Sequence, residues 1–190
     1  MGLIFSLLDQ NLDPGSNPSF NTVINTGNIG TMNTGVTGTE YGDGYNHTTK
    51  LTISTTLPAI AGGAALGVGK LIYTFPAGAI VVGSCYMTLG ITQTQGNINA
   101  DTPAVGIGTT IASGVISVLS GTAAFENVIQ GKVAANCTGT ATVKTDITQL
   151  TIDAADDHTV YINAAATWAA SGDAAAILTG TVVLDWQFLN

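Results

Sequence analysis

The chain has 190 residues, with four Lys, no Arg, ten Asp, two Glu and a formal net charge of −8. Only 8% of the residues are charged, against about a quarter in an average soluble domain. Without clustered cations it cannot neutralise a run of phosphates, which argues against nucleic-acid binding, and the absence of Arg removes any guanidinium clamp for anionic substrates.

The length suits one domain, in which folding buries about 70% of the extended chain's surface, enough for a core without disulfide staples. Cys85 and Cys137 form no CxxC or metal spacing. They read as two small buried thiols, with a single disulfide as the alternative in an oxidising compartment. The apolar start, Met1 to Leu8, lacks a basic flank and is interrupted by Asp9, which argues against a signal peptide.

Residues 1–47 carry Asp13-Pro14-Gly15, Asn25-Thr26-Gly27, Gly35, Gly38, Gly42 and Gly44. Turn-formers this frequent predict an extended Gly/Asn/Thr-rich N-terminal arm. A single β-sandwich domain is expected over 48–190. Its first strand shows period two, with Leu51, Ile53, Thr55 and Leu57 on one face. Residues 61–67 read as a flexible connector. Residues 71–91 hold no charge, long enough for a membrane span. Pro76, Gly78, Gly83 and Gly90 break the run, so two strands around a Pro-Ala-Gly turn fit better. Leu71, Tyr73 and Phe75 should share a face, and the stretch from Ala79 to Leu89 is apolar on both faces, as in a central strand.

Val105, Ile107, Thr109 and Ile111 predict the next strand, and Val115, Ile116, Ser117, Val118 and Leu119 another. A turn or two of helix is possible from Thr122 to Ile129, with Thr122 as N-cap. Thr148, Leu150 and Ile152 form a short run. The last two strands are the clearest. Val160, Ile162, Ala164, Ala166 and Trp168 oppose Tyr161 and Asn163; Leu178, Gly180, Val182, Leu184, Trp186 and Phe188 oppose Thr179, Asp185 and Gln187. About eight short strands with turns between them predict an all-β fold, a jelly-roll-like antiparallel β-sandwich.

No residue pattern marks catalysis, a cofactor or a metal. G-x-S-x-G is missing around Ser117. Gly67-Val68-Gly69-Lys70-Leu71 has Leu where a phosphate loop needs Ser or Thr. Asp9 to Asp13 begins like a calcium loop, but Pro14 stands at the required glycine. Asp153, Asp156 and Asp157 read as a solvated turn rather than a calcium site or an acid–base pair. His158, beside them, is either a turn residue or a base. His47 lies too far from it in sequence for a zinc motif. Asn46-His47-Thr48 and Asn136-Cys137-Thr138 match the glycosylation sequon, as chance allows in a Thr-rich chain. Trp168 and Trp186 are expected in the core.

The run Leu71-Ile72-Tyr73-Thr74-Phe75-Pro76-Ala77-Gly78-Ala79-Ile80-Val81-Val82 resembles a segment of small virion proteins of tailed, especially marine, bacteriophages. Thr159 to Trp168 and Thr179 to Trp186 are similar too, as is the Gly- and Thr-rich, Arg-poor composition. The resemblance covers about residues 48–190. It implies a non-enzymatic capsid decoration or cement protein, a β-sandwich on the outside of a phage head, often trimeric. Its partners would be the major capsid protein and further copies of itself, with no nucleic acid, membrane or cofactor. It would be made in the bacterial cytoplasm and end on the capsid surface. The family carries no catalytic residues to transfer, and the arm is a departure from it. Few Lys and Glu suit buried interfaces, and so low a charge density is hazardous for a free monomer. A homo-oligomer follows, with residues 1–47 helping attachment through Ile4, Phe5, Leu7, Leu8, Phe20, Val23 and Ile24. Alternatives are another head, tail or fibre protein, or a carbohydrate-binding jelly roll, which needs an exposed aromatic in a concave site. An esterase using Ser and His158 has no motif in its favour.

Overall fold

The structure, a computed structural model, describes residues 30–60, 66–93, 98–121, 124–167 and 175–189. Ten strands form two five-stranded antiparallel sheets, and no helix occurs among the described residues. The strands are β1 (Thr31–Met32), β2 (Val36–Gly42), β3 (Asn46–Thr56), β4 (Gly67–Thr74), β5 (Ile80–Thr92), β6 (Ala104–Gly108), β7 (Ile129–Val133), β8 (Thr142–Ile152), β9 (Thr159–Ala165) and β10 (Ile177–Phe188). One sheet has the order β1-β4-β9-β6-β7, the other β2-β3-β10-β5-β8.

From β3 onward the pairing nests. β3 pairs with β10, β4 with β9, β5 with β8, and β6 with β7. The chain therefore behaves as one long hairpin, folded back at the β6–β7 connection and rolled so that alternate partners fall in opposite sheets. Further pairing of β10 with β5 and of β6 with β9 completes each sheet.

Period-two patterning explains the core. Leu51 and Ile53 from β3, Met87, Leu89 and Ile91 from β5, and Leu178, Val182 and Leu184 from β10 are buried against Val68, Ile72, Val105, Ile107, Val160 and Ile162 of the facing sheet. The strand–turn–strand reading of residues 71–91 holds as β4, a turn and β5, and β5 is a central strand. Its phase differs from the simple alternation. The β4–β9 register shifts between Leu71 and Tyr73, so Ile72 and Tyr73 are both fully buried.

Other expectations need correction. Residues 30–47, read as part of an arm, supply β1, β2 and the start of β3, and β2 pairs with β3 along its length. Gly35 and Gly42 sit at positive φ at its two ends, so these glycines delimit the strand instead of dissolving it. Residues 1–29 lie outside the described residues. Residues 115–119 form no strand: Val115 is 81% exposed and Val118 54%. A β-branched run without a partner strand stays a loop. No helix forms over 124–129; Thr122 lies outside the described residues. The segment Gln130-Gly131-Lys132 is strand, inside β7, although nothing in it alternates.

Asn163 was expected on an outer, polar face. It is fully buried under the loop of residues 109–128. Its Oδ1 accepts from the Ala112 N–H (2.8 Å), and its Nδ2 donates to the carbonyls of Thr110 (2.9 Å) and Phe125 (2.8 Å). One amide thus ties three points of a long loop to the sheet, each bond compensating the burial of a backbone group. Strand β9 stops at Ala165, and Ala166 and Thr167 take positive φ.

Candidate functional site

The outer face of the β2-β3-β10-β5-β8 sheet carries a cleft of about 760 Å³ that crosses all five strands. Its residues follow from register. Tyr41 of β2 lies opposite Thr48 of β3, and Thr48 opposite Asp185 of β10. There the ladder becomes irregular. Pairing of β10 with β5 steps from Leu184–Cys85 to Trp186–Val82, and pairing of β5 with β8 from Ser84–Ile147 to Val82–Leu150. Gly83 sits at both irregularities, between Asp185 and Gln149. Bulges bend a strand and open its surface, and a residue without a side chain leaves the middle of the row empty.

Thr48 Oγ1 donates to Asp185 Oδ1 at 2.7 Å, which fixes that carboxylate across the strands. The β2–β3 turn forms one end. Asp43 Oδ1 accepts from the N–H groups of Tyr45 and Asn46, both at 2.7 Å, and these bonds hold its carboxyl below the usual range. Gln149 and Gln187 are exposed, and their side chains make no hydrogen bond to other described residues. The lining includes two carboxylates, Asp43 and Asp185, and no lysine.

The opposite face of the same strands holds a buried polar cluster. Alternation places Glu40, His47, Thr49 and Trp186 inward where Tyr41, Thr48 and Asp185 point outward. Glu40 Oε1 and His47 Nδ1 are 2.6 Å apart, with both side chains fully buried. Thr49 Oγ1 lies 3.4 Å from Glu40 Oε2 and accepts from Trp186 Nε1 at 2.9 Å. The imidazole stacks on the Trp186 ring, centroids 4.1 Å apart and planes 9° from parallel. Burial raises the Glu40 carboxyl, and contact with His47 offsets part of the rise. Burial pushes the Tyr73 hydroxyl up to about 12; it accepts from the Gly30 N–H.

A carboxylate on an imidazole resembles half of a catalytic dyad. Here the other nitrogen, His47 Nε2, is buried without a hydrogen-bond partner among the described residues. The pair joins edge strand β2 to β3 and sets the ring against Trp186. The sequence reading missed it because both residues fell in the supposed arm. The signal was present: the alternation of Leu51 and Ile53 runs back through Thr49 to His47.

The residues singled out from sequence stay apart. His158 Nε2 donates to the Gly78 carbonyl at 2.8 Å, a structural bond across the β4–β5 turn. Asp156 Oδ2 accepts from the Asp153 N–H and Asp157 Oδ1 from the Thr159 N–H, as turn carboxylates do. No group of three metal-ligating side chains occurs among the described residues. Cys85 and Cys137 are free, buried thiols, each pushed up to about 12 by burial. Trp186 is buried; Trp168 lies outside the described residues.

No protein-family model and no curated protein matches the chain. Among solved structures it is similar to a chain of "Cyanophage Pam1 capsid asymmetric unit", at 15% identity and a TM-score of 0.39, covering 93% of this chain and 99% of that one.

Proposed function

We propose that the protein is a structural virion component, a decoration or cement subunit on the outside of a tailed-phage head, whose partners are the major capsid protein and further copies of itself. The observation that carries this is a set of exposed apolar side chains on two neighbouring edge strands. Val133 on β7 is 62% exposed, Val143 on β8 52% and Ile147 on β8 81%. The Gln130 N–H donates to Asp146 Oδ2 at 2.9 Å, which brings the two edges side by side. An eleven-residue edge strand with one lysine and one aspartate has little to deter a partner, and exposed Val143 and Ile147 on it suit contact with another protein.

Two further points support the reading. The nested pairing fits the jelly-roll reading, and jelly rolls build viral capsid and lectin domains. The segments resembling phage virion proteins form β4, the turn into β5, β9 and β10, which are central to both sheets. These edge strands are the contact expected to make a homotrimer.

The test is the protein composition of purified particles by mass spectrometry, with solution mass by light scattering. Presence on particles and an oligomer that Ile147→Lys and Val143→Lys dissociate are expected. A chain absent from particles, or a wild type monomeric at all concentrations, overturns the proposal.

A further inference from the structure

We propose that the cleft crossing the outer face of the β2-β3-β10-β5-β8 sheet binds a neutral glycan. This goes beyond the virion reading; the cleft reaches β8 at Gln149, two residues from Ile147 on the same edge strand.

The shape comes first. The cleft follows the row Tyr41–Thr48–Asp185–Gly83–Gln149 from one edge strand to the other. Four inter-strand gaps of about 4.8 Å give it a length of about 19 Å, which suits a short linear chain lying across the strands. Its volume falls within the range of small-ligand sites.

The chemistry selects the ligand. Neither Gln149 nor Gln187 has a side-chain hydrogen bond to another described residue, and each amide offers donors and an acceptor. The Asp185 carboxylate, held by Thr48, adds acceptor lone pairs. A sugar hydroxyl donates and accepts at once, so pairs of hydroxyls match amides and carboxylates. Tyr41, half-buried at one end, supplies an aromatic face for the C–H side of a pyranose. Phosphorylated, sulfated and uronic sugars meet two carboxylates and no lysine in the lining, on a protein of net charge −8. A peptide adding as a strand finds no free ladder here, because β3, β10 and β5 are paired on both sides.

Gly83 provides a decisive variant. A Cβ there meets only the Asp185 carbonyl, at 3.7 Å, and its φ lies outside the left-handed region. A Cβ at Gly83 is therefore compatible with the fold, and a larger side chain built on it is expected to fill the cleft.

The experiment uses the full chain and a panel of neutral hexasaccharides: α-1,4-glucan, β-1,4-glucan, β-1,3-glucan, β-1,4-mannan and a neutral galactan. Sulfated and uronic oligosaccharides and a cationic peptide are run beside them. Binding is read by isothermal titration and thermal stability by circular dichroism. At least one neutral member is expected to bind. Gly83→Phe and Tyr41→Ala should each weaken it by about tenfold or more, that is about 1.4 kcal/mol, at unchanged melting temperature. Gln149→Ala should weaken it and Thr145→Ala, outside the lining, should not. Binding of charged probes only, no binding by any neutral member, or binding indifferent to Gly83→Phe overturns the assignment.

Discussion

Replacing His47 with Ala should be among the most costly single changes in this protein. The imidazole makes a 2.6 Å contact with a fully buried carboxylate and lies flat on Trp186. Its removal leaves Glu40 with a long contact to Thr49, at 3.4 Å, and the Tyr73 hydroxyl. Breaking one side of a buried pair costs about 3–5 kcal/mol. The lost ring stack, worth about 0.5–1.5 kcal/mol by itself, is included in that range. For a chain of this size the melting temperature falls by about 2–4 °C per kcal/mol, so a drop of about 6–20 °C is expected. The double variant Glu40→Leu/His47→Phe separates charge from packing. It removes both ionisable groups, keeps an aromatic ring against Trp186, and leaves the Trp186 Nε1 bond to Thr49 in place. It should equal or exceed the wild type in stability. The assay is thermal and urea unfolding followed by far-UV circular dichroism. A His47→Ala cost under about 1 kcal/mol, or a double variant as weak as the single one, would refute the account, since either places the value of the pair elsewhere. A pH series adds a sign. Glu40 is raised in the folded state, so its contribution is complete below the ordinary glutamate range and is lost as pH climbs through the raised value. Glu40→Gln, which cannot ionise, should flatten that decline.

Three further outcomes are expected. In a Trp168→Phe background the remaining fluorescence comes from Trp186, 3% exposed, and iodide should quench it poorly; quenching as efficient as that of free tryptophan contradicts its burial. Cys85 and Cys137 should resist a thiol reagent at neutral pH in the native protein and both react in denaturant, because burial disfavours the thiolate; rapid native labelling would show an open route to them. Deleting residues 1–47 should abolish the soluble fold, because it removes β1, β2, Glu40 and His47 and bares the edge of β3, whereas deleting 1–29 keeps all ten strands; equal stability of the two truncations would mean that β2 contributes nothing.

The strands that the sequence revealed are those whose neighbours are apolar and regular. β10 and β9 alternate for most of their length, and Pro76 and Gly78 mark the turn before β5. β7 was invisible because Gln130, Gly131 and Lys132 sit on an edge with one exposed face, where no apolar rhythm is required. The run from Val115 to Leu119 misled for the converse reason, as β-branched residues suit a strand only when a partner is present. Ile72 and Tyr73 are buried side by side because the register shifts between Leu71 and Tyr73, and a shift belongs to the pairing of two strands rather than to either one. The cleft was illegible for the same cause. It needs Tyr41, Thr48, Asp185, Gly83 and Gln149 at one level, and those positions are up to 144 residues apart in the sequence. The Glu40–His47 pair left a trace in the alternation of β3, hidden by the glycines around it.

The nested pairing also sets a timetable. β10 lies in the middle of its sheet, between β3 and β5, yet of the ten strands it is synthesised last. Its register joins Val183 to Lys50 and Trp186 to His47, contacts that span more than two-thirds of the chain. Closing loops of that length before any reward arrives makes folding slow. Until residues 177–188 emerge, β3 and β5 each present a bare ladder beside Leu51, Ile53, Met87 and Leu89. A prematurely terminated chain thus lacks a finished half-sheet and keeps sticky interior edges, and its fate is aggregation or proteolysis. Synthesis of β10 becomes the checkpoint for a competent subunit, so copies truncated before it are withheld from any larger assembly.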